Sequence, residues 1–268
     1  MRDPSITIAG RGNLGRSLAR ALHARLVPAR TGFRMPAGGI LFLAVPDSAV
    51  RDMAARVASL DPPRELAIVH LSGAMGLDAL ATLAPNARGS FHPLQSFPFP
   101  RDPSAFRGIT VAVDASTPDL RRRLAKLARQ LGAKPKHVPA EQRARYHAAA
   151  VFASNFIDVV VTEAVHLLER AGWTRDEATK ALLPLIDGAV ANIRRKGTVK
   201  ALTGPIRRGD AETVSRHLAV MDRPDLYRML GLVALEIAKE AGLDPAAAER
   251  TRRALTRKVA ATRRRSGR

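Results

Sequence analysis

The chain is 268 residues long, 46% hydrophobic and 25% charged, with 44 Lys and Arg against 24 Asp and Glu for a formal net charge of +20. That length supports two domains with cores of their own, and no window approaches the ~18 continuous apolar residues of a membrane span. The absence of cysteine excludes disulfides, thiolate metal sites and cysteine nucleophiles. The seven histidines are scattered rather than set at metal-ligand spacing, so no metal is expected.

Met1-Arg2-Asp3-Pro4 runs directly into an apolar segment, leaving no room for a signal peptide, so a cytoplasmic location without a membrane partner is the expectation. Ser5 to Ala9 reads as a strand, and Gly10-Arg11-Gly12-Asn13-Leu14-Gly15 follows it with a GxGxxG spacing. Arg16 to Leu26 continues at helical period, which gives strand, tight turn and helix in order. In such a unit Gly10 permits the turn, Gly12 lets the backbone approach a pyrophosphate, and Gly15 lets the helix pack on the strand. The free N–H groups of Asn13 and Leu14 and the positive helix end face the phosphate.

Arg25 to Arg30 is a short strand interrupted by Pro28, which suits a sheet edge. An NAD-binding fold places an Asp or Glu at its end, whereas this chain has Arg30 and Thr31, a guanidinium and a hydroxyl that suit a 2′-phosphate. NADP(H) is therefore expected over NAD(H).

Ile40 to Val45 and Leu66 to Leu71 are continuous apolar runs, as expected of parallel strands covered on both faces. The first ends in Pro46-Asp47-Ser48, where Asp47 or Ser48 can cap a helix over 49–60; the second ends in Ser72-Gly73. Leu77 to Leu83 reads as a helix, His92 to Pro98 as a loop, Ile109 to Val113 as a strand and Leu120 to Leu131 as a helix. The alternation predicts an α/β doubly wound parallel sheet over 1–139, with ligands outside the carboxyl ends of its strands.

From 140 to 268 the pattern is all helical. Arg143 to Ala171 reads as one long helix whose body, Ala148 to Ala153, is apolar nearly all round and so expected to be buried. His147, Ser154 and Asp158 share one face of it, with Asn155 on the shoulder. Asp176 to Arg194 follows, with Pro184 expected to kink it. Gly204-Pro205 and Gly209 mark a turn, with Asp210 as the cap of the next helix. The last twenty residues hold nine basic side chains and one acid, read as a solvated helix end; with few aromatics for stacking, nucleic acid is not the expected partner.

Several of these stretches resemble one family: Gly10 to Gly15, Val45-Pro46-Asp47, His70-Leu71-Ser72-Gly73, His92-Pro93-Leu94-Gln95-Ser96-Phe97, Tyr146-His147-Ala148-Ala149-Ala150, Ser154-Asn155 and Ala201 to Asp210. Together they look like the bacterial Rossmann-like oxidoreductase-type proteins whose helical C-terminal half is a domain of unknown function (the 2520 type). The resemblance implies an NADP-binding domain followed by a helical domain similar to that of the 6-phosphogluconate dehydrogenase and pyrroline-5-carboxylate reductase superfamily. It further implies a homodimer formed through the helical domain and a small carbonyl or imine substrate.

In that picture Gly10, Gly12, Asn13, Leu14 and Gly15 hold pyrophosphate, Arg30 and Thr31 the 2′-phosphate, and Val45, Pro46, Ser72 and Gly73 line the ribose and nicotinamide. His92 and Gln95 approach from the loop, His147, Ser154 and Asn155 from the helix, and Thr203 and Arg208 complete the substrate pocket. Hydroxyacid dehydrogenases of the superfamily carry a KxxxN motif; with Asn155 in the asparagine place, the lysine place is Val151. His147, His92 or a water is left as proton donor, and a histidine of ordinary pKa about 6.5 can serve near neutrality. Two other classes stay open: a dinucleotide-binding sensor or scaffold without turnover, and a nucleic-acid-associated protein using the basic tail.

Overall fold

The computed structural model describes residues 5–30 and 34–257, and these divide into two compact units after Asp158. The first unit is built on seven strands: β1 (Ile6–Ala9), β2 (Arg25–Val27), β3 (Gly39–Leu43), β4 (Leu66–His70), β5 (Arg88–Pro93), β6 (Thr110–Ala115) and β7 (Lys134–His137). They lie in the order β2-β1-β3-β4-β5-β6-β7, which places β2 at an edge as expected, although the strand stops at Val27, before Pro28, rather than running to Arg30. All neighbouring pairs are parallel except β5 and β6. The sheet is thus mixed rather than wholly parallel. No long crossover helix joins β5 to β6, and strands so connected can pair antiparallel. His92 correspondingly lies in β5, opposite Ala112, and not in a loop.

Strand alternation sorts the core into two layers. Ile8, Ile40, Phe42, Val69 and Phe91 pack on one face with Leu120 and Leu124 of α3 (Pro118–Gln130), while Ala9, Leu41, Leu43, Leu66 and Ile68 pack on the other with Val50, Met53 and Val57 of α2 (Val50–Ala58). Burial on both faces is why these strands read as unbroken apolar runs. The segment 77–83 is a 3-10 helix, and a 3-10 turn, Asp47–Ala49, leads into α2. Ala49 then occupies the cap position of α2 without a side-chain bond, so neither Asp47 nor Ser48 caps it.

The expected 30-residue helix is two helices. After a 3-10 turn over 140–142, α4 (Arg143–Ala153) ends at Ser154, whose φ of −134° and ψ of −75° leave the helical region. The Ser154 carbonyl then accepts from the N–H groups of Ile157 (3.0 Å) and Asp158 (3.3 Å) to start α5 (Asn155–Arg170). The compact unit therefore extends past the 139/140 boundary read from the sequence, because Arg143 at the head of α4 is buried against β5, the turn after β4 and the chain leaving β7. The apolar body of α4 is not buried within the chain: Ala148, Ala149 and Ala153 are exposed, and Phe152 retains 67% of its surface.

In the second unit α6 (Arg175–Lys200) opens with a capping box between Thr174 and Glu177, and α7 (Gly204–Arg208), α8 (Ala211–Ala219), α9 (Pro224–Glu240) and α10 (Pro245–Thr256) follow. Pro184 stays within α6; the non-helical residue is Gly197, at φ 75°. A proline ring fixes φ near the helical value, whereas glycine enters the left-handed region at little cost. Asp210 caps α8 as expected, accepting from the Thr213 N–H at 3.0 Å. The core here is small, Val214, Leu218 and Leu255 with Ile206, Tyr227 and Leu232 against them. Lys258 to Arg268, most of the charge of the basic tail, lie outside the described residues, as does Thr31.

The turn after β1 makes a test of backbone necessity. Gly10 has φ +128°, and a Cβ there would sit 2.1 Å from the Ala44 carbonyl oxygen; at Gly12 nothing lies within 4 Å. Gly10→Ala should cost about 2–5 kcal/mol from strain and overlap together, whereas Gly12→Ala should stay within about 1 kcal/mol. Urea unfolding of the two variants checks the contrast, and equal midpoints would contradict this geometry.

Candidate active site

The carboxyl ends of β1, β3 and β4 carry the residues expected to hold a dinucleotide. The chain leaves β1 for β2 on one side and reaches β3 on the other, so the crevice at the β1/β3 junction is a topological switch point. Helix α1 (Asn13–Ala21) starts there with Gly12 as its cap residue, no side-chain cap and no acid in its first turn. Gly15 packs that helix tightly, since a Cβ on it would meet the Gly10 carbonyl oxygen at 2.3 Å. Its first-turn N–H groups, on Asn13 and Leu14, are thus free of a competing side chain. The open space at Gly12 is what close approach by a phosphate requires, and these residues fit a dinucleotide. Val45 and Pro46 follow β3, and Ser72 and Gly73 follow β4. Arg30 lies three residues past β2 and is exposed.

A second constellation lies beside this one in the same unit. A groove of about 560 Å³ is lined by His92, Gln95, Tyr146, His147, Ser154 and Asn155, together with apolar side chains of α4. Five of the six were singled out from the sequence; Tyr146 was not named as a site residue. The His92 ring meets Tyr146 edge-on, with Nδ1 2.8 Å from the phenol oxygen, and lies 6.3 Å from the His147 ring, centroid to centroid. Gly73 joins the two constellations. A Cβ on it would sit 2.8 Å from His92 Nε2 and 2.9 Å from His147 Nδ1, so only a glycine lets the strand end touch both rings. His147 Nδ1 is buried and has no hydrogen-bond partner among the described residues. Gln95 Oε1 accepts from the Ser96 N–H at 2.8 Å, and the Ser154 hydroxyl donates to Asn155 Oδ1 at 3.1 Å. Thr203 and Arg208 fall in the helical unit, the first as the cap residue of α7 and the second in its last turn, both exposed.

Beneath the groove sits Arg143, 1% exposed. Its Nε donates to the Val138 carbonyl at 3.1 Å, Nη2 donates to the Ser90 hydroxyl, and Nη1 lies 3.5 Å from the Ser72 carbonyl. Burial pulls its pKa below the ordinary arginine value, with Asp114 and Tyr146 opposing. This residue was missed by sequence reasoning, because one arginine at a helix start carries no signal in an arginine-rich chain. Its effects are electrostatic. Burial, the nearby His147 and the Arg143 charge hold His92 down at about 4, and burial with Arg143 does the same to His70. Burial pushes Tyr146 up to about 12 against the pull of Arg143. Burial and these charges therefore favour the neutral form of His92 near pH 7.

His70 is fully buried and structural. Its Nδ1 accepts from the Ser72 N–H and its Nε2 lies 3.2 Å from the Gly76 carbonyl, which fixes the neutral Nε2–H tautomer. The Ser72 hydroxyl accepts from the N–H groups of Ala74 and Met75. The turn that carries Gly73 is thus tied down from both ends.

A glycine turn at the switch point of a mostly parallel sheet, followed by a helical unit, defines the Rossmann class of dinucleotide folds. Residues 109–237 match the family described as "Domain of unknown function (DUF2520)", which bears out the resemblance. A solved structure of a candidate NADP oxidoreductase from Bacteroides fragilis is 24% identical, with a TM-score of 0.72 over 88% of this chain and 98% of that one. A protein from Thermotoga maritima is 21% identical, with a TM-score of 0.74 over 88% of this chain and 99% of that one. A pyrroline-5-carboxylate reductase from Coxiella burnetii is 15% identical, with a TM-score of 0.55 over 94% of this chain and 99% of that one. At these identities the likeness is one of fold. No curated protein matches the chain.

The two depressed histidines make stability depend on pH. Both are neutral when folded and titrate near 6.5 when unfolded, so the unfolded chain binds more protons between about 6.5 and 4. Their contribution is present above that window and lost as pH falls through it, on the order of 3 kcal/mol for each histidine. Urea unfolding at pH 7 and pH 4.5 should show the loss, with a smaller one in His70→Asn; a midpoint indifferent to pH would contradict the assignment.

Proposed function

We infer that this chain is an NADP(H)-dependent oxidoreductase acting on a small carbonyl or imine compound in the groove lined by His92 and His147. The observation that carries the reading is Gly73, the strand-end glycine whose backbone touches both histidine rings beside a helix end suited to a dinucleotide phosphate. The fold shared with an NADP oxidoreductase-type chain and a pyrroline-5-carboxylate reductase supports it. When bound, the nicotinamide gives or takes the hydride. The chain supplies the rest: the α1 N-terminus and Gly12 bind phosphate, Arg30 with Thr31 selects the 2′-phosphate, and Val45, Pro46 and Ser72 flank the strand ends. His147, whose ring lines the groove beside that of His92, passes the proton to the substrate. Ser154, Asn155 and Gln95 orient the substrate.

A homodimer belongs to the same reading. Phe156, Ile157, Val159 and Val160 on α5, Leu183, Leu185, Val190 and Ile193 on α6, and Met229 and Val233 on α9 are all exposed large apolar side chains. Solvated chains rarely leave so much apolar surface uncovered. The stretch 140–170 is long and apolar enough to cross a membrane by length and composition. It is nevertheless broken at Ser154 and carries Asp158, Glu163, His166 and Glu169 beyond the break, features costly in hydrocarbon. A second copy suits this face better, and a cytoplasmic location follows with it.

Fluorescence titration should show NADPH binding more tightly than NADH, with Arg30→Ala weakening NADPH about tenfold or more and leaving NADH unchanged. Gly12→Ala should keep its stability and lose affinity for both. His147→Ala should lower turnover on any active carbonyl or imine by about 10²–10⁴ with little change in NADPH affinity. Absence of binding by either nucleotide would overturn the reading. Light scattering should give twice the chain mass, and Leu185→Glu should shift it towards the monomer; a monomeric parent would remove the dimer.

A further inference from the structure

Imine and carbonyl reduction ask opposite things of a site. A protonated imine is a cation and calls for a nearby carboxylate, whereas a carbonyl oxygen gains negative charge and calls for hydrogen-bond donors. The groove can be read for this difference directly. Among the described residues no Asp or Glu lines it, and the charged group held by the start of α4 is the buried Arg143 guanidinium. Asp47, exposed in the turn after β3, is the carboxylate whose field reaches His92, and it acts there against both Arg143 and His147.

The donor can be assigned as well. Between His92 Nδ1 and the Tyr146 hydroxyl, 2.8 Å apart, the phenol is the better proton donor and the imidazole nitrogen the better acceptor. Tyr146 therefore donates to Nδ1, which leaves the proton of the neutral ring on Nε2. That nitrogen lies on the side of the ring against Gly73 and His147.

Resting on the reading of this groove as the substrate site, we propose that it takes a carbonyl compound whose oxygen accepts the Nε2–H of His92, and that it disfavours a cationic imine. Tyr146 is a positioning residue: it acts through His92 by fixing the tautomer. Arg143 reinforces the preference, because its positive field favours an electron-rich oxygen and opposes a second cation.

The test uses the full chain labelled at histidine and followed by ¹⁵N and ¹³C NMR, with two five-membered rings as probes, the neutral lactam pyrrolidinone and the pyrrolidinium cation. Pyrrolidinone should shift the His92 Nε2 and Cε1 resonances saturably, and pyrrolidinium should bind more weakly. His92→Phe should weaken pyrrolidinone about tenfold. Tyr146→Phe should spread His92 over two tautomers in the ¹⁵N spectrum and weaken pyrrolidinone about twofold, since only one tautomer is competent. Tighter binding of pyrrolidinium, no shift of His92 by pyrrolidinone, or a proton on Nδ1 in the unliganded protein would each overturn the proposal. An NADPH titration of the same sample separates the two readings. Pyrrolidinone binding without NADPH binding defeats the oxidoreductase reading alone, and the reverse defeats only this one.

Discussion

A guanidinium taken out of water costs several kcal/mol unless its donors are paired and an opposing charge lies near. Arg143 meets that demand with backbone and hydroxyl oxygens from three parts of the first unit, the turn after β4, strand β5 and the chain leaving β7. No carboxylate bonds it among the described contacts, and Asp114 supplies charge at a distance. The consequence is an arch of fixed backbone carrying a positive potential that only partly cancels. The first turn of α4 is pinned by it, and with that turn come Tyr146 and His147, three and four residues on. Removing the guanidinium would therefore disturb both the position of the groove and the protonation of His92.

Two other constraints set the strand ends on which that groove is built. Gly10 and Gly15 let β1, β3 and α1 approach to distances at which a side chain would overlap a carbonyl oxygen, and Gly73 does the same between β4 and the two rings. His70 completes the arrangement from below, its neutral ring spanning the turn from the Ser72 N–H to the Gly76 carbonyl. A charged imidazole could not accept the first of those bonds. The neutral state of His70 is thus part of the turn's geometry, and the same buried cation that anchors the turn helps to keep the ring neutral.

Much of this was legible in the sequence where a residue type has one physical use. The glycine spacing after β1 marked the turn, the unbroken apolar runs marked strands buried on both faces, and His92, Gln95, His147, Ser154 and Asn155 prove to line one groove. Where the sequence misled, tertiary context decided. His92 to Pro98 reads as a loop, yet β5 runs to Pro93 beside β6 and takes His92 into the sheet. The helix from 143 has no glycine or proline to stop it at Ser154, and its apolar body signals burial without saying by what. Arg143 carried no signal, and Tyr146 stood in a motif without a role, for another reason: nothing local distinguishes a buried arginine from an exposed one, or a tyrosine that fixes a tautomer from one that fills space.

The break at Ser154 ties these observations together. Ser154 and Asn155 line the groove where α4 ends and α5 begins, Ser154 lying four residues before the compact unit itself ends. Beyond them the apolar side chains of α5 and α6 face outward, and within the second unit α5 and α6 each bury a single residue, Val165 and Ala178. A 26-residue helix that buries one alanine gains little from its own chain, and helices draw most of their stability from packing of an apolar face. The residues that shape the groove are thus held from one side by Arg143 and the sheet, and they continue on the other into helices whose apolar surface the single chain leaves uncovered.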